Sequence, residues 1–175
     1  ALMLALTTRL VEGEEFMRKG KFKGFDPDLL IGTDMKGKTI GLIGAGQIGT
    51  EVAKMLHYGF NSNIIYSDIC QNLELEKITG PTRKTTEEVL RESDIVSLHV
   101  PLLPETFHLI NKESLSIMKK TAFLINTSRG PVVDEKALVY ALKKDIIRGA
   151  AIDVFEFEPK LTKGLTKLPD VIITP

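Results

Sequence analysis

The segment TIGLIGAGQIGTEV, Thr39 to Val52, limits what this chain can become more than any other. A β-branched apolar run, Thr39–Ile43, ends in Gly44-Ala45-Gly46-Gln47-Ile48-Gly49 and then continues at helical spacing. That is GxGxxG between a strand and a helix. The motif alone is weak. With an acid about 20 residues further on, it marks the first crossover of a parallel sheet whose helix start receives an anion.

The rest of the chain alternates in the same way. The spacing predicts a helix over Leu2 to about Lys19, followed by a loop rich in Gly and Pro. A helix from Gln47 to about Tyr58 is expected to bury Ile48, Val52 and Leu56 on one face. Strands are expected at Thr39–Ile43, Asn63–Ser67, Ile95–Val100, Ala122–Asn126, Ala150–Val154 and Val171–Thr174, with a short one at Thr82–Lys84. Thr85-x-x-Glu88 is a capping box that opens a short helix through Leu90. Further helices are expected at Lys112–Met118 and from Asp134, the latter turning Ala137, Leu138, Ala141 and Leu142 inward. Strands separated by helices, and written as continuous apolar runs, indicate a doubly wound parallel α/β sheet covered on both faces. Six or seven strands are expected, with ligands outside their carboxyl ends.

The loop's composition suggests its ligand. Gly44 permits the tight turn, Gly46 lets a pyrophosphate approach bare backbone, and Gly49 lets helix and strand close together. The N–H groups of Gln47 and Ile48 open the helix, where unpaired donors and the helix dipole favour an anion. Asp68 ends the run NIIYSD. A carboxylate there accepts from both ribose hydroxyls of an adenosine and repels a 2′-phosphate; Ile69 and Cys70, not an arginine, follow it. The expected cofactor is NAD rather than NADP. The plainer readings are a simple glycine turn and a solvated strand-end aspartate.

Composition removes several alternatives. The 175 residues carry 23 Lys plus Arg and 23 Asp plus Glu, so no net charge points to nucleic acid or a membrane surface. No apolar run reaches the roughly 18 residues that span a bilayer. Cys70 is the single cysteine, which leaves no internal disulfide and no Cys/His cluster for a metal. A reducing cytoplasm is expected, with Cys70 as a packing residue.

Three later segments extend the pattern: SDIVSLHVPLLPETFHLIN from Ser93, MKKTAFLINTSRGPVVDEKALVYAL from Met118 and GAAIDVFEFEP from Gly149. With the glycine loop they resemble the D-isomer-specific 2-hydroxyacid dehydrogenases over nearly the whole chain. GTDMKGKTIGLIG looks most like the glyoxylate/hydroxypyruvate reductase and phosphoglycerate dehydrogenase branches. The resemblance implies a Rossmann-type NAD-binding domain in an oxidoreductase that acts on a small D-2-hydroxy acid or 2-oxo acid. It implies that Val100 and Pro101 line the adenine–ribose side with Thr106 nearby, and that Thr127 and Ser128 lead to Arg129. Arg129 would hold the substrate's carboxylate and carbonyl, a task suited to a planar, always charged guanidinium. Asp153 would meet the nicotinamide carboxamide. Glu158 would hold a histidine and raise its pKa so that it serves as general acid and base. Without the resemblance, Arg129 is a turn arginine and Glu158 a solvated acid.

No histidine of the chain takes that place. His57 ends the cofactor helix, His99 is expected in a buried strand, and His108 in a loop. By the resemblance the catalytic histidine follows VIITP, directly after Pro175. Residues 1–36 read as an entering helix and linker, residues 37–175 as the nucleotide-binding core, and the substrate domain as lying outside this sequence. The Leu/Met-rich helix at residues 2–17 is expected to mediate a homodimer. The alternative is an NAD(H)-sensing module like the family's transcriptional corepressors.

Overall fold

Successive residues of β1 (Thr39–Ile43) point to opposite faces of a sheet, and both faces find apolar partners. In this computed structural model, which describes residues 1–80 and 82–175, Ile40 and Leu42 enter one core and Ile43 the other. The remaining strands are β2 (Asn63–Ser67), β3 (Ile95–Leu98), β4 (Phe123–Asn126), β5 (Gly149–Ile152) and β6 (Val171–Ile173). All are parallel, in the order β2-β1-β3-β4-β5-β6. The doubly wound α/β architecture expected from the sequence is the observed one, with six strands. Helices α1 (Leu2–Thr7), α3 (Gln47–Phe60) and α4 (Leu73–Thr79) supply Met3, Leu6, Ala53, Leu56 and Leu75 to one face. On the other, α5 (Thr86–Glu92), α6 (Lys112–Ser116) and α7 (Glu135–Lys143) supply Val89, Leu90, Leu115, Leu138 and Leu142.

The chain reverses its direction of winding between β1 and β3, so their carboxyl ends form the switch point where such sheets take ligands. Thr82–Lys84 is less than a strand. Tyr66 N–H donates to Thr82 O at 3.0 Å and Lys84 N–H to Tyr66 O at 2.8 Å, which makes one bridge at Arg83 beyond the β2 edge.

Several expectations need correction. The first helix is two, with α2 at Leu10–Arg18. The Thr7 carbonyl accepts Thr33 N–H at 2.7 Å, so it is spent outside the helix. Arg9 takes a left-handed φ of 55° and clasps Glu12 at 2.7 Å. The turn of α3 that packs inward is Gly49–Ala53–Leu56; Ile48, 73% exposed, lies outside the core. The α4 helix was not foreseen: Asn72 caps it by accepting Leu75 N–H at 2.9 Å. Cys70 is exposed, because β2 has already ended. The third strand stops at Leu98, which leaves His99 half-buried just past its end.

Candidate functional site

The glycine loop leaves the carboxyl end of β1 and turns back under it. Gly44 has φ 97°, and a Cβ there would lie 2.7 Å from the His99 carbonyl carbon, so β1 and β3 touch backbone to backbone at the switch point. Gly46 caps α3 without any side-chain acceptor, and a Cβ on it would meet nothing within 4 Å. Gly46, Gln47 and Ile48 are exposed, so the first turn of α3 presents its N–H groups to open space. A pyrophosphate fits this cradle: bare backbone, helix donors and room where a side chain would stand. A crevice lined by Ala45, Gly46, Gln47, Thr50, Glu51, Asn72 and Glu74 opens here, with both glutamates paired to Lys54 at 2.7 and 2.9 Å.

Asp68 directly follows β2, beside this loop. Its Oδ2 accepts Ala45 N–H at 2.6 Å and its Oδ1 accepts Cys70 N–H at 3.2 Å. Asn72 holds the same residue from the other side, donating from Nδ2 to Ala45 O at 2.6 Å and to Thr50 Oγ1 at 2.8 Å. Ala45, a variable position of the motif, is therefore clamped by both of its peptide groups. Asn72 escaped the sequence reading, although an Asn ahead of Leu73 and Leu75 is an N-cap signal.

Past β3, Val100 packs on the core and Pro101 is exposed. Thr106 knits this loop: its hydroxyl donates to Pro101 O at 2.7 Å and accepts Leu103 N–H at 2.7 Å. His99 Nε2 lies 3.0 Å from Ser97 Oγ, and burial pushes its pKa down to about 4.

At the carboxyl end of β4, Asn126 organises the turn. Its Oδ1 accepts Ser128 N–H at 3.1 Å and Ser128 Oγ–H at 2.8 Å, and its Nδ2 donates to Arg129 O at 3.0 Å. Thr127 and Arg129 are left exposed, Ser128 buried. The Arg129 guanidinium donates to the Ser128 carbonyl at 2.7 Å. Among the described residues it makes no ion pair. Such a cation is ready for a carboxylate.

Asp153 follows β5, its N–H donating to Asn126 O at 3.0 Å and its carboxylate accepting the Thr174 hydroxyl. Glu158 is exposed and accepts Phe155 N–H at 2.9 Å. The loop that carries it is fixed by residues the sequence reading missed. Glu156 N–H donates to Glu135 Oε1 at 2.8 Å, and Glu135 N–H donates back to Glu156 Oε2 at 3.2 Å. His108, stacked on Phe107, places Nε2 2.9 Å from Glu156 Oε1. The histidine of that loop thus pairs with Glu156, not Glu158. His57 is equally remote from this chemistry, with Nδ1 3.4 Å from Ser62 O. The signal for the exchange was faint, since reciprocal bonds between residues 21 apart leave no local pattern.

Among the described residues no helix is long and apolar enough to cross a membrane, and no three His, Cys, Asp or Glu gather to hold a metal ion.

Over residues 1–175 the chain matches the family described as D-isomer specific 2-hydroxyacid dehydrogenase, NAD binding domain. It is 50% identical, over 99% of its length, to a glyoxylate reductase of Thermofilum pendens, covering 52% of that protein. It is 45% identical over its whole length to a glycerate dehydrogenase of Cucumis sativus, covering 50% of that one. Its fold superposes with a TM-score of 0.92 on the TT0316 protein of Thermus thermophilus, at 42% identity, over 99% of this chain and 54% of the other. The chain therefore spans about half the length of the relatives it matches. It belongs to the D-isomer specific 2-hydroxyacid dehydrogenase family, as that family's NAD-binding domain.

Proposed function

We propose that this chain is the cofactor-binding part of a dehydrogenase that passes hydride between NAD(H) and a small D-2-hydroxy acid or its 2-oxo acid. Glyoxylate, hydroxypyruvate and 3-phosphoglycerate are examples of the substrate class, each carrying the carboxylate that a guanidinium holds. The observation that carries this reading is Arg129. A guanidinium that is exposed and, among the described residues, without a carboxylate partner stands at the carboxyl end of β4, on the sheet edge that also carries the glycine loop, Asp153 and Glu158. The names of relatives such as the glyoxylate reductase and the glycerate dehydrogenase support it.

The roles are those the family resemblance implies, and each suits the chemistry of its residue. NAD supplies the hydride acceptor, and NADH the donor. The N–H groups of Gly46, Gln47 and Ile48 hold the pyrophosphate, with Gly44 and Gly49 shaping the loop. Asp68 binds the ribose hydroxyls, while Val100, Pro101 and Thr106 form the adenosine wall. Thr127 and Ser128 set the height of Arg129, which orients the 2-oxo acid through its carboxylate and polarises its carbonyl. Asp153 takes the carboxamide. Glu158 holds an imidazole and raises its pKa. None of His57, His99 and His108 lies on Glu158, so that imidazole comes from elsewhere in the enzyme. The exposed Leu10, Val11 and Met17 of α2 supply the pairing face of a homodimer. A reducing cytoplasm suits the exposed thiol of Cys70.

The test is a panel of 2-oxo acids with NADH on the full-length enzyme. Arg129→Ala is expected to lower kcat/KM by about 10²–10³. Glu158→Gln is expected to move the basic limb of the reduction profile to lower pH, because the imidazole then loses its proton sooner. NADH binding without turnover of any 2-oxo acid would overturn the enzyme reading and favour a sensing module.

A further inference from the structure

The sequence around Asp68 offers no arginine for a 2′-phosphate, yet the fold delivers one. The single bridge beyond β2 fixes Arg83 against the end of that strand. From 15 residues downstream, its Nη2 donates to Asp68 O at 3.1 Å, and also to Ile69 O at 3.0 Å. The guanidinium is thus anchored on the backbone of the residue whose carboxylate takes Ala45 N–H. Arginine has five N–H donors in a rigid fork, and these two bonds use a single nitrogen. Two lysines of this part of the chain are engaged elsewhere: Lys84 with Glu92 at 2.6 Å, and Lys54 with Glu51 and Glu74 at 2.7 and 2.9 Å. Among the described residues Arg83 makes no ion pair.

We propose that Arg83 receives the 2′-phosphate of NADPH, so that the adenosine end of this site accepts both cofactors. The proposal rests on the placement of the adenosine ribose at Asp68. A carboxylate beside the ribose disfavours a phosphate there by like-charge repulsion. A guanidinium on the same strand end offsets that repulsion with charge-assisted, two-point bonds. Its present acceptors are neutral carbonyls at an exposed corner, which water can serve when the side chain shifts. Asp68 and Arg83 thereby form an opposed pair, one favouring the free ribose and the other the phosphorylated one.

The experiment is calorimetric titration of NADH and NADPH into the 175-residue chain and its Arg83→Ala, Arg83→Lys and Asp68→Ala variants, at low and moderate salt. Circular dichroism melting checks each fold. Arg83→Ala is expected to weaken NADPH about tenfold to a hundredfold and leave NADH within about twofold. Arg83→Lys should fall between, and the loss should shrink as salt rises. An unchanged NADPH to NADH ratio in Arg83→Ala overturns the proposal. So does an equal loss of both cofactors, which would make Arg83 a brace for the Asp68–Ile69 turn or a stacking partner for adenine. If Asp68→Ala moves the ratio and Arg83→Ala does not, the ribose placement stands and only the role of Arg83 falls. If neither moves it, the adenosine lies elsewhere and both readings fall.

Discussion

The two ends of the sheet's carboxyl edge are built on opposite plans. At the β1–β2 end the backbone is bare: Gly46, Gln47 and Ile48 are exposed, and a Cβ on Gly46 would touch nothing within 4 Å. At the β4–β5 end the backbone is crowded: a Cβ on Gly130 would sit 1.9 Å from Phe155 O. There the loops are laced by the Glu135–Glu156 exchange and by Asn126. The first end is shaped to receive a ligand against main chain. The second carries two exposed side chains, Arg129 and Glu158, each with one hydrogen bond to nearby backbone, and these are the ones proposed above to serve the chemistry on the substrate. Binding of a phosphate needs donors and space, whereas orienting a carbonyl needs side chains that do not wander.

The same substitution should therefore do opposite things at the two ends. Gly130→Ala forces backbone apart and is expected to cost about 3–5 kcal/mol of stability, read by urea unfolding. A loss below about 1 kcal/mol would break the contrast. Between the ends stands His99, which sharpens it through pH. Burial holds its folded pKa near 4, below the ordinary 6.5, so the unfolded chain takes up the proton first. Its contribution is whole above pH 6.5 and is lost as pH falls from there toward 4, by about 2–3 kcal/mol at pH 4.5. Urea midpoints across that range should fall in the parent and fall less in His99→Asn. Glu156→Ala strips partners from His108 and from Glu135 N–H, and should cost about 2 kcal/mol. NADH affinity should stay within about twofold, because the lattice it breaks belongs to the other end. Smallest in stability is Gly46→Ala, expected within about 1 kcal/mol, since φ −70° suits any residue and only an N-cap preference is lost.

What the sequence revealed follows the same division. The glycine loop, the Thr85–Glu88 capping box and the apolar strands are local patterns; the first two stand where their spacing placed them, and each strand starts within one residue of its expected place, while β3, β5 and β6 end short of Val100, Val154 and Thr174. Arg83, Glu135 and Glu156 act through contacts between distant segments, and no local period announces them. Ile48 misled because the first turn of α3 has nothing packed over it, so apolar spacing there reports an open crevice rather than a core. The break at Arg9 was hidden because the carbonyl of Thr7 is captured by Thr33, a competitor that helical periodicity cannot show. Arg129 and Glu158 drew their meaning from the resemblance; as residues in exposed turns they carry no pattern of their own.

The most direct measurement is calorimetric titration of NADH into the parent chain and into Gly46→Ala, with urea unfolding of both. The expected result is saturable binding by the parent and at least about tenfold weaker binding by the variant, while the unfolding midpoints stay close. A side chain would then have removed the cofactor from the bare end without disturbing the fold. Equal NADH affinity in the two proteins would contradict a pyrophosphate seated on the backbone at Gly46.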